Sequence, residues 1–195
     1  SEMCIRDRPN GFNMQLLSQV SFDVESSDIT GFEKDGREFA VIGLTGNDCA
    51  AFFDITDPFN PFEVGRISGE PSIWRDIKVY NNYAFIVSEA SNHGMQIFDL
   101  TRLRNTENIP TVFNSDSHFT DFGRAHNIVI NEGNGYAYPV GNQDPGRVFS
   151  RDPGHEGGRF DGGPIFVNIQ NPTSPILEGG FSDTGYCHDA QAVIY

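Results

Sequence analysis

Four side chains in this sequence combine imidazole with carboxylate in a way that could serve a metal ion: Asp76, His126, His188 and Asp189. Nitrogen and oxygen donors of that kind bind zinc and similar ions. No compact ligand motif such as His-Glu-x-x-His joins them, and the Asp- and Gly-rich stretch 141–163 lacks the spacing of a calcium loop. Nucleophilic catalysis has less support still. There is no Gly-x-Ser-x-Gly, and Cys187-His188-Asp189 puts neighbours on opposite sides of an extended chain. No residue is therefore assigned as catalytic. A divalent metal ion is the one cofactor these residues allow, and a wider set, Arg75, Asp76, Glu89, His93, His126, Asn127, His188 and Asp189, forms a candidate binding surface.

The elements that must position these groups are legible in Trp74 to Leu100, WRDIKVYNNYAFIVSEASNHGMQIFDL. Three apolar runs, 75–79, 83–87 and 95–100, are each four to six residues long and rich in Ile, Val, Phe and Tyr. Asn, Gly or Ser bounds each of them, a pattern of strands and not of helices. The unit recurs. Its opener returns as Asp28-Ile29, Asn127-Ile128 and Asp189-Ala190, and its second and third runs return at 39–42, 52–55, 136–140 and 166–169. Asp57-Pro58-Phe59-Asn60-Pro61 and Asn171-Pro172-Thr173-Ser174-Pro175 follow two of the third strands, and proline makes both of them turns. Each leads into a fourth strand, 62–67 or 176–181. The middle unit instead runs through Thr101-Arg102-Leu103-Arg104 to a fourth strand at Pro110-Thr111-Val112-Phe113. Asp35-Gly36 and Asn81-Asn82 turn first strands into second strands.

Four short strands about every 50 residues, with little helix, describe the blades of a β-propeller. The phrases WRDIKVY, YAFIVSEAS, HGMQIFDLTRLRN, AHNIVIN, DITDPFNP, NIQNPTSP and HDAQ resemble those of LVIVD-repeat propellers of the choice-of-anchor B family, over nearly all of the chain from Gly11. The resemblance implies an all-β fold, export and tethering to the cell surface. It implies no particular reaction. The expected layout is a propeller fragment: residues 1–8 a sequencing-adapter scar, 9–26 an N-terminal strand or linker, and blades at about 28–68, 76–114 and 127–181, with the inner strand of a further blade at 187–195. A cut ring would leave apolar side chains around Phe39, Val41, Phe53 and Phe166 partly exposed.

In an antiparallel blade the start of strand one, the link between strands two and three and the exit from strand four share one side. All five histidines, at 93, 118, 126, 155 and 188, then map to one mouth of the disc. Two readings of that mouth follow: a binding or interaction module for a protein or surface glycan, or a metal-dependent enzyme. The simpler account of Asp28, Asp76, Asn127 and Asp189 is structural, since a polar residue recurring once per blade suits hydrogen bonds to a neighbouring blade.

Charge and composition narrow the partners. The formal net charge is −14, with 13 Lys and Arg scattered over the 195 residues, whereas binding to phosphate backbones needs a basic patch. Nucleic acid is excluded as an expected partner. No apolar run approaches the ~20 residues of a membrane-spanning helix. Cys49 and Cys187 lie one and a half repeats apart and are read as free or buried thiols.

Overall fold

A computed structural model describes residues 14–145, 160–183 and 185–194. His155, expected at the histidine-bearing mouth, and residues 1–8, expected to be an adapter scar, lie outside the described residues. The fold is all-β, with thirteen strands and one short 3-10 helix at Leu100–Asn105 among the described residues. No helix among them is long and apolar enough to cross a membrane.

Three sheets carry the strands, each built on an antiparallel meander. Sheet one joins β1 (Ser26–Lys34), β2 (Arg37–Leu44), β3 (Gly46–Asp54) and β4 (Phe62–Ser72). Sheet two joins β5 (Arg75–Tyr80), β6 (Tyr83–Ser88), β7 (Met95–Asp99) and β9 (Ser117–Phe119), and sheet three joins β10 (Asn127–Asn131), β11 (Tyr136–Val140), β12 (Ile165–Asn168) and β13 (Ile176–Gly180). The remaining strand, β8 (Thr111–Phe113), adds to β4 in parallel. Asp35-Gly36 and Asn81-Asn82 close their hairpins with positive φ at both central residues, the backbone that matches the twist of paired strands.

Sheet two lies between the other two, which explains why β6 is apolar throughout. Successive side chains of a strand point to opposite faces. Ala84 and Ile86 join the core shared with Phe39, Val41 and Phe52 of sheet one, while Phe85 and Val87 join the core shared with Ile128, Ala137 and Val167 of sheet three. Burying such a side chain contributes ~1.5–3 kcal/mol, so β6 serves two cores at once. The first strands of the sheets adjoin, β5 lying against both β1 and β10.

Three sequence expectations are corrected. Pro110–Phe113 is not the fourth strand of sheet two; β8 pairs with β4, and β9 takes the edge of sheet two by pairing with β7. Packing decides this, because the Phe113 ring lies 5.1 Å from that of Phe98 and 6.0 Å from that of Phe52, sealing the core between sheets one and two. Of the two alternatives for 9–26, strand or linker, the described residues before Ser26 form no strand, and Phe22 sets its ring edge-on to Phe53 at 5.5 Å. That cover, together with sheet two, buries Phe39, Val41 and Phe53, which were expected to be partly exposed, whereas Phe166 is partly exposed as expected. Residues 185–194 form no strand either. They run extended beside β10, with the His188 carbonyl at Asn127 and the Ile194 side chain at Gly133.

Candidate functional site

The first strands meet at a polar clasp. Asp28 Oδ2 accepts the backbone N–H of Ile77 at 3.0 Å, and Asp76 Oδ2 accepts that of Ile128 at 2.7 Å. Each carboxylate thus holds the first strand of the next sheet. Asp76 Oδ1 also accepts the Ile77 N–H, and Lys78 Nζ bonds to it and lies 3.4 Å from Asp28 Oδ2. Asn127 continues the series by donating its side-chain amide to the His188 carbonyl at 3.1 Å. Burial and the facing Asp28 carboxyl push Asp76 up to about 6, against the pull of Lys78 and the Ile128 N–H. Burial acts to raise Asp28 as well, but the hydrogen bond with Asp76, the Ile77 N–H and Lys78 together hold it below its usual range. Of the two carboxyls, Asp76 is therefore the one that holds its proton to the higher pH.

A second cluster forms where residues just before β5 and β10 meet the loop after β6. Trp74 donates its indole N–H to the His126 carbonyl at 2.8 Å and stacks on the His126 ring, with centroids 5.4 Å apart and planes 15° apart. The exposed His188 ring also packs against His126, its centroid 4.1 Å away and its plane tilted by 53°. Glu89 Oε1 is 2.8 Å from His126 Nδ1 and 2.7 Å from Nη2 of Arg124, which is buried. A carboxylate oxygen only accepts, so Nδ1 carries a hydrogen, and it is Nε2 that bears the lone pair whenever the ring is neutral. The Cys187 N–H donates to the Gly162 carbonyl at 3.0 Å and holds the His188 segment in place. Tyr186 lies close over Gly141, where a Cβ would come within 2.8 Å of its hydroxyl; Gly141 has φ 61°. Glycine suits both the conformation and the contact.

The structure thus brings Glu89, His126, Asn127 and His188 together and separates the rest of the expected set. Arg75 is fully buried, donating to the carbonyls of Leu44 at 2.8 Å, Glu70 at 2.6 Å and Gly46 at 3.3 Å. His93 is also buried, its Nε2 3.3 Å from the Ile86 carbonyl and 4.0 Å from Cys49 Sγ. Burial and the Arg75 charge push His93 down to about 3, and burial pushes the Cys49 thiol up to about 12. These groups face the core and not the mouth. Of the proposed metal ligands, Asp76 is committed to backbone N–H groups and Lys78, and Asp189 Oδ1 accepts the Ala190 N–H. Among the described residues no group of three or more His, Cys, Asp or Glu side chains is placed to hold a metal ion. Cys49 and Cys187 are both free.

Sequence reasoning missed Trp74, Arg124 and Tyr186. Trp74 is the sole tryptophan, a residue type that carries a large share of binding surfaces, and that was the available signal. Arg124 precedes His126 by two residues, and both side chains reach the same Glu89 oxygen. No family model matches the chain, and neither does any curated protein.

Proposed function

We propose that the three sheets are blades of an exported, surface-held β-propeller of the LVIVD-repeat, choice-of-anchor B kind, and that it works as a binding module through the mouth bearing Trp74, His126 and His188. The observation that carries this reading is the cluster in which Trp74 stacks on His126 and the tilted His188 ring packs against His126, with Glu89 and Arg124 holding His126 and with His188 open to solvent. Rigid aromatic surface held by buried polar anchors is what a recognition site requires. The loops that form it come from different sheets, as they do at functional mouths of repeat folds. A protein segment or a surface glycan suits such a ledge, and the acidic surface disfavours nucleic acid.

Binding of the purified protein to glycan and peptide arrays tests this. The changes His188→Ala and Tyr186→Ala fall on exposed side chains and should lower affinity for any captured ligand more than about tenfold, the size of a hot-spot loss, with an unchanged circular dichroism spectrum. A ligand whose affinity is indifferent to both changes would place recognition elsewhere.

A further inference from the structure

We propose that Asp76 is a positioning residue of the mouth, and that gain or loss of its proton resets the Trp74–His126 stack across the boundary between sheets two and three. This deepens the binding reading and rests on it, since it makes capture at the mouth depend on the acidity of the surroundings.

Bonds cross that boundary at successive points along 125–128. The Ala125 N–H donates to the Ser88 carbonyl at 3.0 Å, the Trp74 indole N–H to the His126 carbonyl at 2.8 Å, and the Ile128 N–H to Asp76 Oδ2 at 2.7 Å. Trp74 and His126 each lie two residues before a member of the last bond, so on both chain segments the clasp adjoins the stack. The Trp74 carbonyl also accepts the Glu89 N–H at 3.2 Å, and Glu89 Oε1 meets His126 Nδ1 at 2.8 Å. Of the acceptors at Ala125, Trp74 and Ile128, the Asp76 carboxyl is the one that titrates. The groups facing it are Asp28 from β1, Lys78 on its own strand and, from β10, the uncharged Ile128 N–H. Burial and Asp28 push Asp76 up to about 6, so its charge changes between acidic and neutral surroundings. With the proton in place one carboxyl donates to the other. Without it two negative carboxylates face each other where the Asp76 side chain is 6% exposed, and poor solvation makes that repulsion strong. Lys78 offsets part of it, so Asp76 is drawn toward Lys78 and away from Asp28, and the Ile128 bond and the stack follow.

Trp74 is the sole tryptophan, so its fluorescence reports the stack directly. Emission of the full chain, titrated from acid to neutral pH, should show a step centred near about 6. Asp76→Asn keeps an acceptor for Ile128 and offers Asp28 the donor that the protonated acid supplies. It should therefore hold the acid-side signal across the whole range, with an unchanged circular dichroism spectrum. Asp28→Asn, which removes the facing charge, should move the step to lower pH by about one unit or more, and it keeps the test decisive if Asp76→Asn does not fold. His126→Gln should retain the step, which separates it from titration of the imidazole. A parent with no step, a step that survives in Asp76→Asn, or one that stays in place in Asp28→Asn overturns the proposal. If the step is absent while glycan or peptide capture still depends on His188, the coupling falls and the binding mouth stands. If the step follows Asp76 and neither array yields a ligand, the mouth reading falls and the coupling stands.

Discussion

The Asp76 carboxylate takes the backbone N–H of Ile128 across the boundary between sheets two and three, at 2.7 Å. Asp28 makes the same bond to Ile77 one sheet earlier, so the sheets are linked by a repeated side-chain clasp. Its outer end is the Asn127 amide on the His188 carbonyl, which ties the clasp to the histidine cluster.

The clasp should make stability fall as pH rises between about 4 and 6. Asp76 is held up to about 6 in the fold against ~3.9 for a free aspartate. The folded state therefore keeps a proton that the unfolded chain releases, and that contribution is lost as pH rises through the folded value. Two units correspond to about 3 kcal/mol at most. Asp28, shifted the other way, acts below this window, and Lys78 faces both carboxyls. Subtracting the denaturant stability of Asp76→Asn from that of the parent at pH 4 and pH 7 isolates the effect. A difference that does not change with pH would mean the proton is not held there.

His93 should drive acid unfolding. Its value of about 3 in the fold lies far below ~6.5 for free histidine, so its contribution is complete above that value and is lost as pH falls toward 3. The full effect is about 5 kcal/mol, large beside a typical stability of ~5–15 kcal/mol. Urea midpoints from pH 7 to pH 4 should drop less for His93→Gln, which retains a donor for the Ile86 carbonyl, than for the parent.

Placement of β8 on sheet one depends on Gly65. A Cβ there would fall 2.1 Å from the Thr111 carbonyl oxygen and 2.6 Å from the Phe113 ring. Gly65→Ala should therefore push β8 off β4 and cost about 1–3 kcal/mol, the usual range for overpacking. Val112→Ala, at a side chain that is 74% exposed on the same strand, should stay within about 0.5 kcal/mol of the parent. Thermal unfolding of the two variants side by side checks both.

What was readable in the sequence was periodic or local. Tyr83-Ala84-Phe85-Ile86-Val87 announced a strand buried on both faces, Asp35-Gly36 and Asn81-Asn82 announced their turns, and the recurrent Asp or Asn of the first strands announced contacts between sheets. Depth was not readable. His93 and Arg75 occupy positions where loops and strand ends reach solvent, yet one ring turns inward against Ile86 and the guanidinium into a nest of carbonyls. The exchange of β8 for β9 was equally hidden, because Pro110-Thr111-Val112-Phe113 is the better strand by composition and only the Phe52 and Phe98 rings decide which sheet it joins. Trp74 on His126 is a contact between units, and periodicity within a unit says nothing about it.

Arg75 separates a structural cation from a ligand-binding one. Its side chain is fully buried and forms no ion pair among the described residues. Burial depresses its pKa, with partial relief from the nearby Cys49 and Asp48. Its bonds go to the carbonyls of Leu44, Gly46 and Glu70, so it joins the end of β5 to the β2–β3 connection and to β4. Arg75→Met would keep most of the apolar stem and leave those carbonyls without their donor, at about 1–3 kcal/mol for each one that finds no water. Arg75→Lys should fare little better, since a single ammonium cannot reproduce the planar fork. The expected result is a loss of about 3 kcal/mol or more in urea unfolding for Arg75→Met, while ligand titrations of the fraction that remains folded match the parent. A variant that unfolds as the parent does but no longer binds ligand would return Arg75 to the mouth.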